Sequence, residues 1–142
     1  MTRGTYSLIV HVPYELALSV GELGKIVFKP GYYAYIGSAL GGLEKRVGRH
    51  LREEKKVYWH IDHLLIHVRA VDVIVARSEG RNECVVAKEL ADGLPSIRGF
   101  GSSDCRCESH LFYSPDFNDL LRRVLSGFKA CGLKPEKGVK YG

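Results

Sequence analysis

The chain has 142 residues, of which 45% are hydrophobic, so it can fill the core of one domain and is not an intrinsically disordered chain. Lysine and arginine number 21 against 16 aspartate and glutamate, and the net charge of +5 favours a polyanion such as nucleic acid over an acidic protein or a neutral metabolite. The first residues lack the pattern of a signal peptide, and no apolar run is long enough to cross a bilayer. We therefore expect a cytoplasmic protein with no membrane partner.

The N-terminal part of the chain predicts three neighbouring strands. Residues 4–12 alternate as a strand does, residues 25–28 form a short strand that ends at Pro30-Gly31, and residues 32–38 form the third. Residues 14–24, between the first two strands, are predicted to be a loop-like insertion. Because short connections favour antiparallel partners, we expect the three strands to form a meander.

Residues 42–52 have the hydrophobic spacing of a helix. Its apolar stripe consists of Leu43, Val47 and Leu51. Arg46 and His50 lie one turn apart at the border of this stripe, from which both can face a pocket. The other basic side chains are predicted to point away from the stripe, where they are candidates for nucleic-acid binding through phosphate contacts: Lys45, Arg49 and Arg52.

A charged turn at residues 53–56 leads into a second predicted helix at residues 57–67. Trp59 is expected to lie in the core. His60 and His63 are three residues apart and therefore share one side of the helix. We expect both histidines to be structural.

Residues 68–77 predict a strand, whose inward positions are Val71, Val73 and Val75. The next predicted helix, at residues 83–91, begins with Glu83, which helical spacing places on the apolar face rather than the solvated one. A buried carboxylate is costly unless a cation accompanies it. Glu83 is therefore expected to have a partner such as a metal ion or an arginine.

The C-terminal third contains a loop of small residues at 99–110, and long polar loops in compact domains are often functional. Residues 117–130 predict an amphipathic closing helix, and residues 134–142 a frayed basic tail. The expected fold is one α+β domain over residues 1–142, with a small antiparallel sheet of about three to five strands flanked by helices.

The chain has four cysteines: Cys84, Cys105, Cys107 and Cys131. In a reducing cytoplasm they are expected to be thiols or metal ligands rather than disulfides. Together with Cys84, the run Cys105-x-Cys107-x-x-His110 is compatible with a tetrahedral zinc site or with a disulfide, because thiolates and imidazole are zinc ligands. The spacing is not a common zinc pattern, so we expect packed thiols rather than zinc.

Two short motifs resemble those of a known family. Gly4-Thr5-Tyr6 stands where that family has Gly-Ile-Tyr, and Tyr35-Ile36-Gly37 matches its second motif. Together with the runs GYYAYIGSA, GGLEKRVGRH, WHIDHLL and FGSSDCRCESHLFY, these motifs make residues 4–113 similar to the GIY-YIG nuclease superfamily, and within it to the small Uri-type endonucleases. The resemblance implies a GIY-YIG-like fold and hydrolysis of phosphodiester bonds, in DNA rather than RNA.

The resemblance also implies roles for individual residues. Glu83 would hold one divalent cation, magnesium or another such as manganese, which acts as a Lewis acid. Arg46 would neutralise charge that develops on the phosphate. Tyr6 or Tyr35 would activate the attacking water, with His50 available as a proton acceptor. Both tyrosines remain candidates for the base, and Tyr35 has the better motif match.

Two departures from the family pattern keep other functions open. Thr5 replaces the isoleucine of the first motif, and Ser38 stands where some relatives have a lysine. The main alternative is a nucleic-acid-binding module that keeps the scaffold without catalysis, and a third is a structural or redox protein built on the cysteine loop. Because the chain is small for a nuclease that selects its site, specificity is expected to come from DNA shape, a homodimer partner or another protein.

Overall fold

A five-stranded antiparallel sheet forms the centre of the fold. The computed structural model describes residues 2–52 and 56–137. In chain order, the strands of this part are β1 (Gly4–Val12), β2 (Leu16–Ser19), β3 (Lys25–Phe28), β4 (Gly31–Ala39), β5 (Ala70–Arg77), β6 (Leu111–Ser114) and β7 (Glu136–Lys137). The helices are α1 (Leu43–Leu51), α2 (His60–Leu65), α3 (Glu83–Ala91) and α4 (Phe117–Ala130).

The main sheet has the strand order β6-β4-β1-β5-β7, and every neighbouring pair is antiparallel. Strand β1 lies in the middle, and its side chains alternate between two cores, with Leu8 in one and Ile9 in the other. Helices α1 and α2 contribute to the first core, and helices α3 and α4 to the second. The predicted α+β fold with an antiparallel sheet flanked by helices is confirmed.

The predicted three-strand meander is wrong. Strands β1 and β4 pair directly along their whole length, from Gly4 opposite Ala39 to Val12 opposite Gly31. Strand β3 therefore has no place in the main sheet and pairs with β2 in a separate two-stranded sheet. The segment predicted as a loop-like insertion thus contains strand β2 and a short 3₁₀ turn at Gly21–Leu23. Phe28 anchors this hairpin in the first core, where it is fully buried.

Helices α3 and α4 have the predicted bounds, whereas α2 is shorter than predicted. The buried carboxylate of Asp62 accepts hydrogen bonds from the backbone N–H groups of Tyr58 and Trp59, both at 2.8 Å. These bonds hold the two residues in the turn before the helix, so α2 begins only at His60. In β5, Val73 and Val75 point inward as predicted, but Val71 is exposed.

The C-terminal segment is partly ordered by the sheet. Residues 136 and 137, predicted to belong to a frayed tail, pair with β5 as strand β7. Residues 138–142 of that tail and residues 53–55 of the predicted charged turn lie outside the described residues. Within the two described ranges, no helix combines the length and apolar character needed to cross a membrane.

Candidate active site

The pairing of β1 with β4 brings the two sequence motifs together. Tyr6 lies opposite Gly37, and a Cβ atom at Gly37 would stand 2.5 Å from the Tyr6 hydroxyl oxygen. The second motif therefore needs a glycine at this position, because only glycine leaves space for the Tyr6 ring. The Tyr6 Oη atom lies 2.7 Å from Nε2 of His50 on α1, and both residues are buried.

Tyr35 lies beside this pair. Among the hydrogen bonds of the described residues, none joins Tyr35 to Tyr6 or His50. Its ring centroid is 6.0 Å from that of His50 and 6.4 Å from that of Tyr6. Gly101 of the 99–110 loop covers the other side, where a Cβ atom would approach Tyr35 to 2.9 Å. The structure thus gives Tyr6, rather than Tyr35, the direct partner that could accept a phenolic proton.

Ser38 connects the end of β4 to the start of α3. Its hydroxyl accepts hydrogen bonds from the backbone N–H groups of Asn82 and Glu83, both at 3.3 Å, and donates to the Glu83 carboxylate. The Asn82 side chain itself makes no capping bond to the helix. The cap of α3 is therefore supplied by Ser38 of strand β4 rather than by Asn82. This cap holds Glu83 beside the second motif.

Arg46 closes the site from the side of α1. Its Nη1 donates to the Ser38 carbonyl oxygen at 3.0 Å. The Glu83 side chain is 14% exposed, and one of its oxygens lies 3.7 Å from the guanidinium of Arg81, which is itself mostly exposed. Among the described residues, the predicted need of Glu83 for a cationic partner is thus met by an ion pair with an exposed arginine, which water screens.

The environment keeps both motif tyrosines protonated at neutral pH. Burial raises the pKa of Tyr6 to about 12, although the nearby positive charge of Arg46 acts in the opposite direction. Burial also raises the pKa of Tyr35, and the neighbouring Tyr6 adds to this shift. Neither phenol can be a preformed phenolate, so any basic role requires a proton to leave during the reaction.

A second layer of residues positions Arg46. The indole ring of Trp59 lies 4.6 Å from the Arg46 guanidinium and 4.3 Å from that of Arg49, as cation–π contacts require. Arg49 forms a two-pronged ion pair with the fully buried Asp62, with both N–O distances at 3.0 Å. Asp62 was not among the residues predicted from the sequence, although an aspartate three residues after Trp59 has the spacing of a capping residue.

The three basic residues that were predicted to bind phosphates differ in their exposure to solvent. Lys45 and Arg52 are exposed, as predicted. Arg49 instead folds back onto Asp62, and its guanidinium also donates to the carbonyl oxygen of Lys56 at 2.9 Å. The expectation that Arg49 points away into solvent is wrong, because its planar fork matches the buried carboxylate.

His60 joins α2 to the 99–110 loop, which agrees with its predicted structural role. Its Nδ1 accepts a hydrogen bond from the Gly101 N–H at 2.8 Å, so this nitrogen carries no proton. Burial lowers the pKa of His60, the neighbouring His63 lowers it further, and Glu22 opposes both. Protonation would replace the acceptor by a donor facing the Gly101 N–H.

We expect the free energy of unfolding to decrease as the pH falls below about 6.5, because the unfolded chain then binds a proton at His60 that the folded chain resists. The decrease in unfolding free energy that is due to His60 should be complete once the pH is below the lowered pKa of this residue in the folded state. His60→Asn, which keeps a polar group near Nδ1 but does not titrate, should flatten this dependence. Denaturant unfolding between about pH 5 and about pH 8 measures it.

His67→Asn is the matched control, because His67 is exposed at the end of the same segment. Its pH dependence should follow that of the unmodified protein, so the difference between the two variants isolates His60. An equally steep dependence in His60→Asn would contradict this assignment.

Three cysteines and one histidine converge behind the site. Cys84 lies in the first turn of α3, Cys105 and Cys107 in the 99–110 loop, and His110 just before β6. Their four ligand atoms lie within 4.8 Å of one another. Burial raises the pKa of both Cys84 and Cys107, which makes them poor nucleophiles as free thiols. A site for redox or nucleophilic chemistry is therefore not favoured here.

The comparisons with known proteins give one family. The profile of the family described as "Domain of unknown function DUF123" matches residues 5–133, which include Tyr6 of the first motif, the whole second motif, the four helices of the described residues and the cysteine cluster. No curated protein and no solved structure matches the chain. Since the match covers most of its length, the chain belongs to the DUF123 family.

Proposed function

We propose that this protein is a metal-dependent endonuclease that hydrolyses phosphodiester bonds in DNA, with RNA as the less favoured substrate. The observation that carries the proposal is the convergence of four side chains from three separate segments, β1, α1 and α3. Tyr6 is bonded to His50, and Arg46 reaches the Ser38 carbonyl beside Glu83. A proton acceptor, a fixed cation and a carboxylate are the groups that such a hydrolysis requires.

We also propose that this DUF123 protein is a member of the GIY-YIG nuclease superfamily, close to its Uri-type branch. The two motifs occupy adjacent central strands, with Tyr6 of the first facing Gly37 of the second. The steric need for glycine at this point gives the Tyr-Ile-Gly motif a physical reason. Thr5, which replaces isoleucine, is fully buried on the opposite face of β1 and does not alter the Tyr6 side.

Glu83 is the residue suited to hold the divalent cation. Magnesium is commonly bound by one or two carboxylates, with water and substrate phosphates completing its coordination, and a partly exposed single carboxylate fits this pattern. When bound, the cation would act as a Lewis acid toward a phosphate oxygen. Manganese accepts the same oxygen ligands.

The protein's own residues would orient the phosphate and move one proton. Arg46, always cationic and held by Ser38, would face the charge that develops on the phosphate. Tyr6 would accept a proton from the attacking water while its own proton passes to Nε2 of His50, 2.7 Å away. This transfer is compatible with a pKa of about 12, because a free phenolate never accumulates. Tyr35 would line the floor of the site.

Burial of the tyrosines favours one alternative, a nucleic-acid-binding module without catalysis. Tyr6 is only 1% exposed and Tyr35 only 7%, whereas the basic side chain of Lys45 is exposed on α1. Such a module would bind through phosphate contacts, and its affinity would fall steeply with added salt.

The test is a cleavage assay on nicked, branched, single-stranded and duplex DNA, with RNA counterparts, in magnesium, manganese or excess chelator. Metal-dependent strand scission of at least one substrate supports the nuclease. Salt-sensitive binding without scission of any substrate would select the binding module. The preferred substrate and the oligomeric state in the complex would show whether DNA shape or a homodimer supplies specificity.

A further inference from the structure

The group of Cys84, Cys105, Cys107 and His110, here called the Cys3His cluster, has the composition of a structural zinc site. Three of the four cysteines in the chain meet at this point, together with one imidazole. One donor comes from α3 and the other three from the 99–110 loop and its end. Soft sulfur and imidazole ligands select zinc over magnesium, which prefers oxygen.

The distances within the cluster agree with tetrahedral coordination. Zinc–sulfur bonds of about 2.3 Å and a zinc–nitrogen bond of about 2.05 Å place sulfur and nitrogen about 3.6 Å apart, and two sulfurs about 3.8 Å apart. Nε2 of His110 lies 3.7 Å from the sulfur of Cys84 and 3.6 Å from that of Cys105. No two ligand atoms are more than 4.8 Å apart, so a contraction of about 1 Å would bring all four onto one ion.

A disulfide explains this arrangement less well. It would join two of the three sulfurs and leave the third thiol and the His110 nitrogen directed at the new bond. Hydrogen bonds between thiols and imidazole are weak and do not require four groups at one point. A single ion satisfies all four donors at once.

Apart from the cluster, the 99–110 loop is held within the described residues mainly near its base, where the Gly101 N–H donates to His60, while at its tip the Cys105 N–H makes a long bond of 3.4 Å to the Ser102 carbonyl oxygen. Two backbone hydrogen bonds close its base, from Gly99 to Glu108 at 2.7 Å and from His110 to Phe100 at 2.8 Å. Beyond this base, the side chains of Ser103, Asp104 and Arg106 are exposed. A metal held by Cys84 would join the loop tip to the first turn of α3, next to Glu83.

We propose that the Cys3His cluster binds one zinc ion, which fastens the 99–110 loop to the N-terminal turn of α3. All four positions are filled by protein ligands, as in structural rather than catalytic zinc sites. The proposal concerns a different site from that of Glu83 and does not depend on nuclease activity. It revises the expectation of packed thiols, which rested on the uncommon spacing of these four residues in the sequence.

The test is the metal content of the protein, purified without added zinc or chelator and measured by elemental mass spectrometry. We expect about one zinc ion per chain. Cys107→Ser should lose most of this zinc, whereas Cys131→Ser should keep it, because Cys131 lies at the end of α4 outside the cluster. Zinc-free wild-type protein, or equal loss in both variants, would overturn the proposal.

A second measurement uses the wild-type protein and so does not depend on whether the variants fold. Titration of metal-depleted wild-type protein with Co²⁺ should produce the absorption bands of tetrahedral cobalt–thiolate coordination, saturating at one equivalent. A strong zinc chelator should also lower the unfolding temperature of the wild-type protein, since metal binding contributes to folding free energy. Absence of the cobalt bands, or a disulfide linking two cluster cysteines in the purified protein, would overturn the proposal.

Discussion

Glu83→Gln is expected to reduce metal-dependent cleavage by about 1000-fold, which corresponds to about 4 kcal/mol of transition-state stabilisation. The amide removes the charge that would hold the cation. It should not disturb the fold, because the glutamine oxygen can still accept the hydrogen bond from Ser38. Cleavage rates at saturating protein, together with binding to the same substrate in the absence of metal, measure the effect.

Glu89→Gln makes the same chemical change at an exposed position of the same helix. Both variants raise the net charge by one, so a general electrostatic effect on nucleic-acid binding should appear in both. Only Glu83→Gln should lose cleavage. A residual rate within tenfold of the unmodified protein would rule out Glu83 as the essential metal ligand.

Asp62→Asn is expected to destabilise the fold by about 3 to 5 kcal/mol, because it leaves the Arg49 guanidinium partly buried without a counter-charge. The carboxylate also accepts two backbone N–H groups through one oxygen, an arrangement that an amide cannot reproduce together with the arginine pair. Denaturant unfolding at neutral pH measures the change in free energy.

Asp119→Asn is the matched control for this change. Asp119 also pairs with arginines, Arg122 and Arg123, but it lies on the surface of α4. Exposed ion pairs contribute at most about 1 kcal/mol, so the control should lose much less stability. Equal losses in the two variants would show that the buried ion pair contributes no more to stability than the surface pairs of Asp119.

The ion pair of Asp62 also links stability to pH. Burial alone would raise the pKa of this carboxyl, but hydrogen bonds from Arg49, Trp59 and Tyr58 outweigh burial and lower it. Its contribution to stability is therefore present above the unfolded value near 3.8 and is lost as the pH falls through the lower value of the folded state. Because Trp59 contacts Arg46, loss of this anchor would also loosen the candidate site.

Local periodicity was sufficient for the helices that bury one continuous face. The spacing of apolar residues predicted α3 and α4 with correct bounds, and the α+β class followed from the short connections expected to join antiparallel strands and from the helices that flank them. It failed for α2, because the helix start depends on the Asp62 carboxylate, whose bonds to the preceding turn override the helical pattern.

The residue types of the candidate site were also readable, since a tyrosine, an arginine, a histidine and a carboxylate stand in recognisable motifs. The residues with which they interact could not be predicted from the sequence. Ser38 caps a helix that begins 45 positions later, and Arg49 turns away from solvent toward Asp62. Neither relation has a local signal in the sequence.

The sequence by itself determined most of the strands and helices, although not β2, β7 or the start of α2, and it determined which chemically functional residues they carry. Only the tertiary structure decided that β1 pairs directly with β4, that Tyr6 rather than Tyr35 is bonded to His50, and that Cys84 joins the cysteines of a distant loop. The physical reason is that strand register and side-chain convergence depend on the packing of both faces of the sheet at once. No short stretch of sequence contains that information.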